Sequence, residues 1–180
     1  MYCTPQTLSD IKAECGTNIG GVKSVAVRNR ADVTAITITD GVVSALTLSS
    51  ATGTPADAAV IGFRPQTCLL NSEATIDQVA GTHFYTNTLS FRFAKMNAAK
   101  RTSIVALSHA QTIALVKDNN DTVWLVGYEE PLSASALTGT TGTAHSDANE
   151  YTPSLSCMSP DLLYPVSTAA VSSFLGDAEF

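Results

Sequence analysis

The sequence predicts a mainly β fold with one flanking α-helix, of the α+β class, in a single domain covering residues 1–180. Short segments of alternating apolar and polar residues recur through the first 126 residues, and this alternation is typical of half-buried strands. One segment, at about 97–110, has the apolar spacing of an amphipathic helix. A chain of 180 residues is long enough to enclose one core.

The first third of the chain predicts three strands. VKSVAV at 22–27 and VTAITI at 33–38 alternate, and VVSALTL at 42–48 is similar. Asp40-Gly41 lies between the second and third strands, and both residues tolerate the positive φ of a tight hairpin turn. A segment rich in Gly, Pro and Ser follows at 49–57, and residues 58–63 are a further candidate strand.

The middle of the chain predicts two long strands followed by the helix. The strands occupy 68–93, with Gly81-Thr82 between them. Asn97 is a suitable N-cap for the helix, because its side-chain oxygen can accept a free backbone N–H. Ile104 and Leu107 fall on the apolar stripe, whereas Lys100 falls on the opposite face.

A second hairpin is predicted at 113–126, where two apolar segments flank the polar turn DNND at 118–121. Trp124 lies in its second strand and is predicted to be in the core. Residues 149–157 predict a closing strand.

Three segments are predicted to lie outside the core. Residues 131–146 contain no charged side chain, and the segment 131–147 is predicted to be a long polar loop arm. The N-terminal segment at about 1–20 is predicted to be extended. Residues 160–180 contain two prolines and end in GDAEF, so an extended C-terminal tail is predicted there.

The composition is poor in charge. Apolar residues make up 44% of the chain and charged residues only 14%, with a net charge of −6. A protein that grips nucleic acid needs clustered Lys and Arg, so the acidic balance argues against that class. A surface with so few charges has two explanations of equal weight: neighbouring subunits cover it, or the chain is simply a Thr/Ser-rich β protein. No membrane span and no signal segment are predicted.

Four cysteines are present, and their spacing matches no common zinc pattern. We interpret them as small apolar residues of a protein made in a reducing cytoplasm. They are Cys3, Cys15, Cys68 and Cys157. No metal and no cofactor are predicted, although incidental cation binding by the DNND turn stays open.

No catalytic residue is predicted. His145-Ser146-Asp147 contains the residue types of a hydrolase triad, but adjacent residues cannot form the spatial relay that a triad requires. The DNND turn lacks the glycine and the distal glutamate of a calcium loop. Gly20-Gly21 precedes a strand rather than a helix, so it cannot be a phosphate loop. The sequence therefore gives no support to an enzyme.

Two stretches, together with the segment that follows them, carry a family resemblance. They are CGTNIGGVKSVAVRNRADVTAITITDG at 15–41 and KMNAAKRTSIVALSHAQTIALVKDNNDTVWLVG at 95–127, and the segment is TGTTGTAHSDANEYTPSLSC at 138–157. In this order they resemble small virion structural proteins of tailed phages and prophages from Bacteroides-type hosts, including crAss-like phages. Members of that family are similar to tail-tube or tail-ring subunits. This chain departs from the pattern in its DNND turn, where Asp-Asn-Gly is more usual, and in its longer, more hydrophobic C-terminal tail.

The resemblance implies a β-sandwich or barrel of the phage tail-tube type that closes into a homo-oligomeric ring, either a tube ring or a single ring near the portal. Genome DNA would pass through the lumen without sequence-specific binding. The expected partners are copies of the chain and other tail, portal or ring proteins, and the expected location is the virion tail. The implied subunit-interface candidates are Gly53, Pro55, Leu137, Thr138, Gly139, Thr141, Gly142, His145, Tyr164 and Phe174.

Two other functional classes stay open at this point. One is a virion decoration domain or immunoglobulin-like binding module, which would be monomeric or trimeric. The other, least supported, is a divergent hydrolase.

Overall fold

The computed structural model describes residues 10–11, 16–49 and 58–180. Within these ranges the chain forms twelve strands, two α-helices and one short 3-10 helix at Arg30–Asp32. The strands are β1 (Val22–Asn29), β2 (Val33–Thr39), β3 (Val42–Leu48), β4 (Ala59–Ile61), β5 (Cys68–Asp77), β6 (Thr82–Phe91), β7 (Phe93–Ala94), β8 (Thr112–Asp118), β9 (Val123–Val126), β10 (Ser133–Thr140), β11 (Glu150–Ser159) and β12 (Tyr164–Pro165). The helices are α1 (Ala98–His109) and α2 (Thr168–Leu175). The prediction of a mainly β fold of the α+β class is confirmed.

The strands form three antiparallel sheets. The first sheet has the order β12-β9-β8-β1-β4. The second has the order β10-β11-β6-β5, with β7 also beside β11. The third is the β2–β3 hairpin. Neighbouring strands in all three sheets pair antiparallel. Four of these pairs, β2–β3, β5–β6, β8–β9 and β10–β11, are also consecutive in the chain.

The central strand of the first sheet, β8, is buried on both faces. Its first five residues, TIALV at 112–116, are all buried. A strand covered on both faces has a continuous apolar run instead of an alternating one. The first sheet is therefore the middle layer of the molecule, and each of its faces packs against a different layer.

One core cluster lies between the first and second sheets, and the other lies between the first sheet and a layer formed by β2, β3 and α2. The buried residues of the first cluster are Val22, Val25, Val27, Cys68, Leu89, Phe91, Ala114, Val116, Val126, Leu132, Leu155 and Cys157. Those of the second are Ala26, Val33, Val43, Leu46, Ala58, Ile113, Leu115, Val123, Leu125, Ala170, Phe174 and Leu175.

Locally encoded features agree with the sequence predictions. Asp40 (φ 51°) and Gly41 (φ 75°) form the turn between β2 and β3. Asn97 caps α1, its Oδ1 accepting the backbone N–H of Lys100 at 2.8 Å. Ile104 of α1 is buried. Lys100, on the opposite face of α1, donates through its Nζ to the carbonyl oxygens of Ala94 and Lys95.

The prediction of an extended C-terminal tail at 160–180 is wrong, because this segment contains β12 and α2. Ser167 caps α2, its Oγ accepting the backbone N–H of Ala170, and Gly176 ends it at φ 68°. The side chain of Phe174 is fully buried. The two prolines lie before the helix and do not interrupt it. The prediction of one helix is therefore corrected to two.

The predicted polar arm at 131–147 is also wrong. Its first part is the strand β10, which pairs with β11 along its whole length, from Ser133 opposite Ser156 to Thr140 opposite Glu150. Threonine and serine are compatible with an exposed strand, and the absence of large apolar residues conceals the strand pattern in the sequence. Only residues 141–149 form a loop.

Phe174→Ala is expected to lower the free energy of unfolding by about 3–5 kcal/mol, because it leaves a cavity in the second core cluster. Trp124 is half-buried rather than in the core, and its Nε1 donates to Asp118 Oδ2 at 3.0 Å. Trp124→Ala should therefore cost less than Phe174→Ala. Urea unfolding of both variants measures the difference. Equal costs, or no cost for Phe174→Ala, would contradict the assignment of α2 to the core.

Cys68 and Cys157 are expected to resist alkylation in the folded protein. Both are buried and unpaired, and burial raises the pKa of Cys68 to about 12 and also raises the pKa of Cys157. The thiolate is the reactive form, so little of it exists at pH 8. Iodoacetamide labelling followed by peptide mass spectrometry should modify both residues in urea only. Rapid labelling without urea would contradict the packing of these two thiols.

Candidate assembly interface

The strand β10 gives the second sheet an exposed, uncharged edge. All eight of its residues are exposed, and none is charged or proline. In the described part of the chain β10 pairs along its length only with β11. An edge strand carries a row of backbone N–H and C=O groups that can pair with another chain, and Lys or Pro usually blocks such edges. β10 contains neither Lys nor Pro. A bulge at Ser135 interrupts the register and leaves 136–140 as the regular part of this edge.

Side-chain contacts hold β10 against its neighbours. The hydroxyls of Thr138 and Thr152 form a hydrogen bond, and Ser135 Oγ donates to the carbonyl oxygen of Ser154. Gly139 lies so close to Tyr151 that an added Cβ would come within 3.0 Å of its ring. The helix α1 also packs against β10 and β11. The position of the edge is thus fixed by the chain itself.

The loop after β10 is closed by Asp147. Its Oδ2 accepts the backbone N–H groups of Thr143 and Ala144, both at 2.7 Å, and these bonds lower the pKa of the Asp147 carboxyl. Gly142 takes a positive φ of 70° in the same turn. The side chain of His145 is exposed. The carboxylate of the His145-Ser146-Asp147 sequence therefore organises a turn.

The structure brings six of the ten interface candidates together on β10 and the loop after it. They are Leu137, Thr138, Gly139, Thr141, Gly142 and His145. Tyr164 lies apart, on β12 at the edge of the first sheet, and its hydroxyl donates to Asp161 Oδ2, which raises the pKa of Tyr164 to about 12. Gly53 and Pro55 lie outside the described residues.

Phe174 does not belong with the other candidates. Its ring is fully buried, and the guanidinium of Arg28 lies 5.6 Å from the ring centroid. Arg28 Nε also donates to the carbonyl oxygen of Phe174. The Phe174 side chain packs in the chain's own core and is not at the surface.

Sequence reasoning missed an exposed hairpin tip, which we define as residues 73–83 at the turn between β5 and β6. Every residue of the hairpin tip is exposed, so neither face of this ribbon is covered by the chain. Ile76 is 64% exposed and Val79 is 100% exposed. Asp77 Oδ1 accepts the N–H groups of Val79 and Ala80 and so fixes the turn. Alternation alone could not distinguish this ribbon from a strand on a core.

Sequence reasoning also missed a cleft between α1 and the edge formed by β1 and β4, which we call the α1 cleft. Its volume is about 690 Å³. The apolar side chains of Phe93, Ile104 and Leu107 contribute to its walls, and Arg28 and Lys100 also line it. The cleft depends on strands and a helix from distant parts of the chain, so no local pattern in the sequence signals it.

The DNND turn anchors the segment before β1. Asn120 accepts the backbone N–H of Ile19 at 3.0 Å, and Asn119 Nδ2 donates to the carbonyl oxygen of Gly20 at 2.8 Å. Asp121 forms ion pairs with Lys23 and Lys117 at 2.8 and 3.3 Å. The hairpin-turn prediction is confirmed. Among the residues that the structure describes, no group of three His, Cys, Asp or Glu side chains could hold a metal ion.

Asp121→Asn is expected to reduce the acid sensitivity of the fold. Hydrogen bonds and charge from Lys23 and Lys117 lower the pKa of Asp121. A lowered carboxyl pKa stabilises the fold above the ordinary value of about 3.9, and this contribution is lost as the pH falls through the lowered pKa. Asparagine accepts the positive φ at this position.

The measurement is the melting temperature at pH 7 and at pH 3. The difference between the two should be smaller for Asp121→Asn than for the unaltered chain. Asp40→Asn is the control, because Asp40 also has a positive φ in a tight turn but forms no ion pair with a described residue. Equal differences for all three proteins would show that the Asp121 ion pairs contribute nothing measurable.

No family model matches this chain, and no curated protein or solved structure matches it either. Within the described ranges, neither helix has the length and apolar character needed to cross a membrane.

Proposed function

We propose that the chain is a virion structural protein that forms a homo-oligomeric ring in a phage tail, with DNA passing through the lumen. The observation that carries this proposal is the open, uncharged edge of β10. An exposed edge without Lys or Pro favours pairing with another strand, and a ring of copies covers every such edge. The family resemblance of residues 15–157 supports the same class and a fold of the tail-tube β-sandwich or barrel type.

The topology of the second sheet suits head-to-tail closure. β10 lies at one edge and β5 at the other. The sheet has four strands in the order β10-β11-β6-β5, and each neighbouring pair is antiparallel. β10 and β5 therefore run in opposite directions. Rotation about an axis parallel to the strands keeps every strand direction. The β10 edge of one copy then meets the β5 edge of the next in an antiparallel pair, and one antiparallel sheet runs around the ring.

The outward face of the second sheet suits a channel wall. It is rich in small hydroxyl side chains, and Ser90 and Ser154 lie directly opposite each other with their oxygens 3.1 Å apart. Hydroxyl groups and a net charge of −6 give DNA few cationic contacts. DNA would therefore pass along this surface without tight binding. Other tail, portal or ring proteins would contact the open faces of the ring.

Ala136→Lys is expected to prevent ring formation and leave the monomer folded. The substitution places a charge on the regular part of the β10 edge, which is the device that natural edge strands use against pairing. Ala136 is exposed, so the substitution buries nothing. Ala45→Lys is the matched control, because Ala45 is an exposed strand residue of β3, outside the second sheet.

Light scattering measures the mass of each protein, negative-stain images show its shape, and circular dichroism checks the fold. We expect rings from the unaltered chain and from Ala45→Lys, and monomers from Ala136→Lys. Intact rings from Ala136→Lys would exclude the β10 edge as the contact. A monomeric unaltered chain that binds a pre-formed shell would instead identify a decoration module.

A further inference from the structure

We propose that the hairpin tip of one copy inserts into the α1 cleft of a second copy, and that this contact stacks rings along the strand direction. The inference rests on the proposed ring function, because it assigns how one ring meets the next. It makes the chain a repeated tube subunit rather than a single ring.

The hairpin tip has the features of a surface that is covered in the assembled state. A two-stranded ribbon without a covered face is only marginally stable in water. This ribbon nevertheless exposes Ile76 and Val79 at its end, where Val79 is 100% exposed. The turn itself is fixed by Asp77, so the two apolar side chains are held in place before any contact forms.

The α1 cleft matches the hairpin tip in polarity and in charge. Its walls include Phe93, Ile104 and Leu107, which can cover the apolar side chains of the tip. The tip contains two acidic residues, Glu73 and Asp77, and no Lys or Arg. Two basic residues, Arg28 and Lys100, line the cleft. Of the described lining residues, only Asp32 is acidic. Complementary charge of this kind fixes the choice and orientation of a partner.

The tip and the cleft cannot meet within one copy. They lie at opposite ends of β6. The tip includes the first two residues of β6, Thr82 and His83, whereas β7 and α1, which line the cleft, follow its last residue, Phe91. Ten strand residues at about 3.3 Å each separate the two ends by roughly 30 Å. A hairpin tip that enters the cleft must therefore come from another molecule.

The direction of this separation determines the kind of assembly. The tip and the cleft are different surfaces, so their contact is head-to-tail and repeats without closing on itself. Because the separation runs along the strands, the repeat also runs along the strands. Pairing of the β10 and β5 edges runs across the strands. One contact thus closes each ring, and the other adds ring upon ring.

The test uses one substitution on each side of the contact, each with a matched control. Val79→Asp places a charge on the hairpin tip, and Val42→Asp places the same charge on another exposed valine, next to the β2–β3 turn. Ala106→Glu places a charge in the α1 cleft, and Thr102→Glu places it on an exposed α1 residue that does not line the cleft.

The readout is the number of stacked rings per particle in negative-stain images of the purified full chain. We expect stacks from the unaltered chain and from both controls. Val79→Asp and Ala106→Glu should each give single rings, with the diameter and copy number of one ring unchanged. Loss of stacks with intact rings is the signature that separates this contact from the ring contact.

Other outcomes overturn one claim or the other. Rings of the unaltered chain that never stack would exclude the tip-to-cleft contact and leave the ring proposal standing. Absence of rings in the unaltered chain would exclude the ring proposal. If only Ala106→Glu prevents stacking, a segment of the next copy other than the hairpin tip occupies the cleft. If either substitution breaks the rings themselves, the contact lies within the ring and not between rings.

Discussion

The burial of the first sheet on both faces is the constraint on which the rest of the structure depends. The buried run at 112–116 in β8 requires a layer on each side. The second sheet supplies one layer, and the β2–β3 hairpin with α2 supplies the other. The C-terminal segment therefore cannot be a free tail, because Phe174 and its neighbours cover the second face.

In this layering the second sheet is one of the two outer layers. Its inner face packs on the first sheet, but its outer face, its β10 edge and the hairpin tip are not covered by the described chain. The three surfaces differ in character: the outer face is hydroxyl-rich, the β10 edge presents backbone groups, and the hairpin tip exposes Ile76 and Val79. In the proposed stack of rings, each of these surfaces would form a contact or line the channel.

The sequence predicted the features whose cause is local. The Asp40-Gly41 turn, the Asn97 cap and the long pair β5 and β6 depend on residues close together in the chain. The sequence did not predict the features that depend on contacts between distant segments of the chain. β10 has no large apolar alternation, so its strand character comes from pairing with β11. α2 did have local signals, Ser167 and Gly176, but the nearby prolines favoured a tail. The α1 cleft has no local signal at all.

Amide hydrogen exchange resolved to single residues tests the central claim most directly. It compares β10 and β5 in the assembled protein with the same strands in the Ala136→Lys protein. If the two edges pair between copies, amides in Ser133–Thr140 and in the part of β5 that precedes the hairpin tip, residues 68–72, should exchange more slowly in the assembly, because their outward N–H groups gain partners. Equal exchange of β10 in the two proteins would contradict the claim that this edge closes the ring.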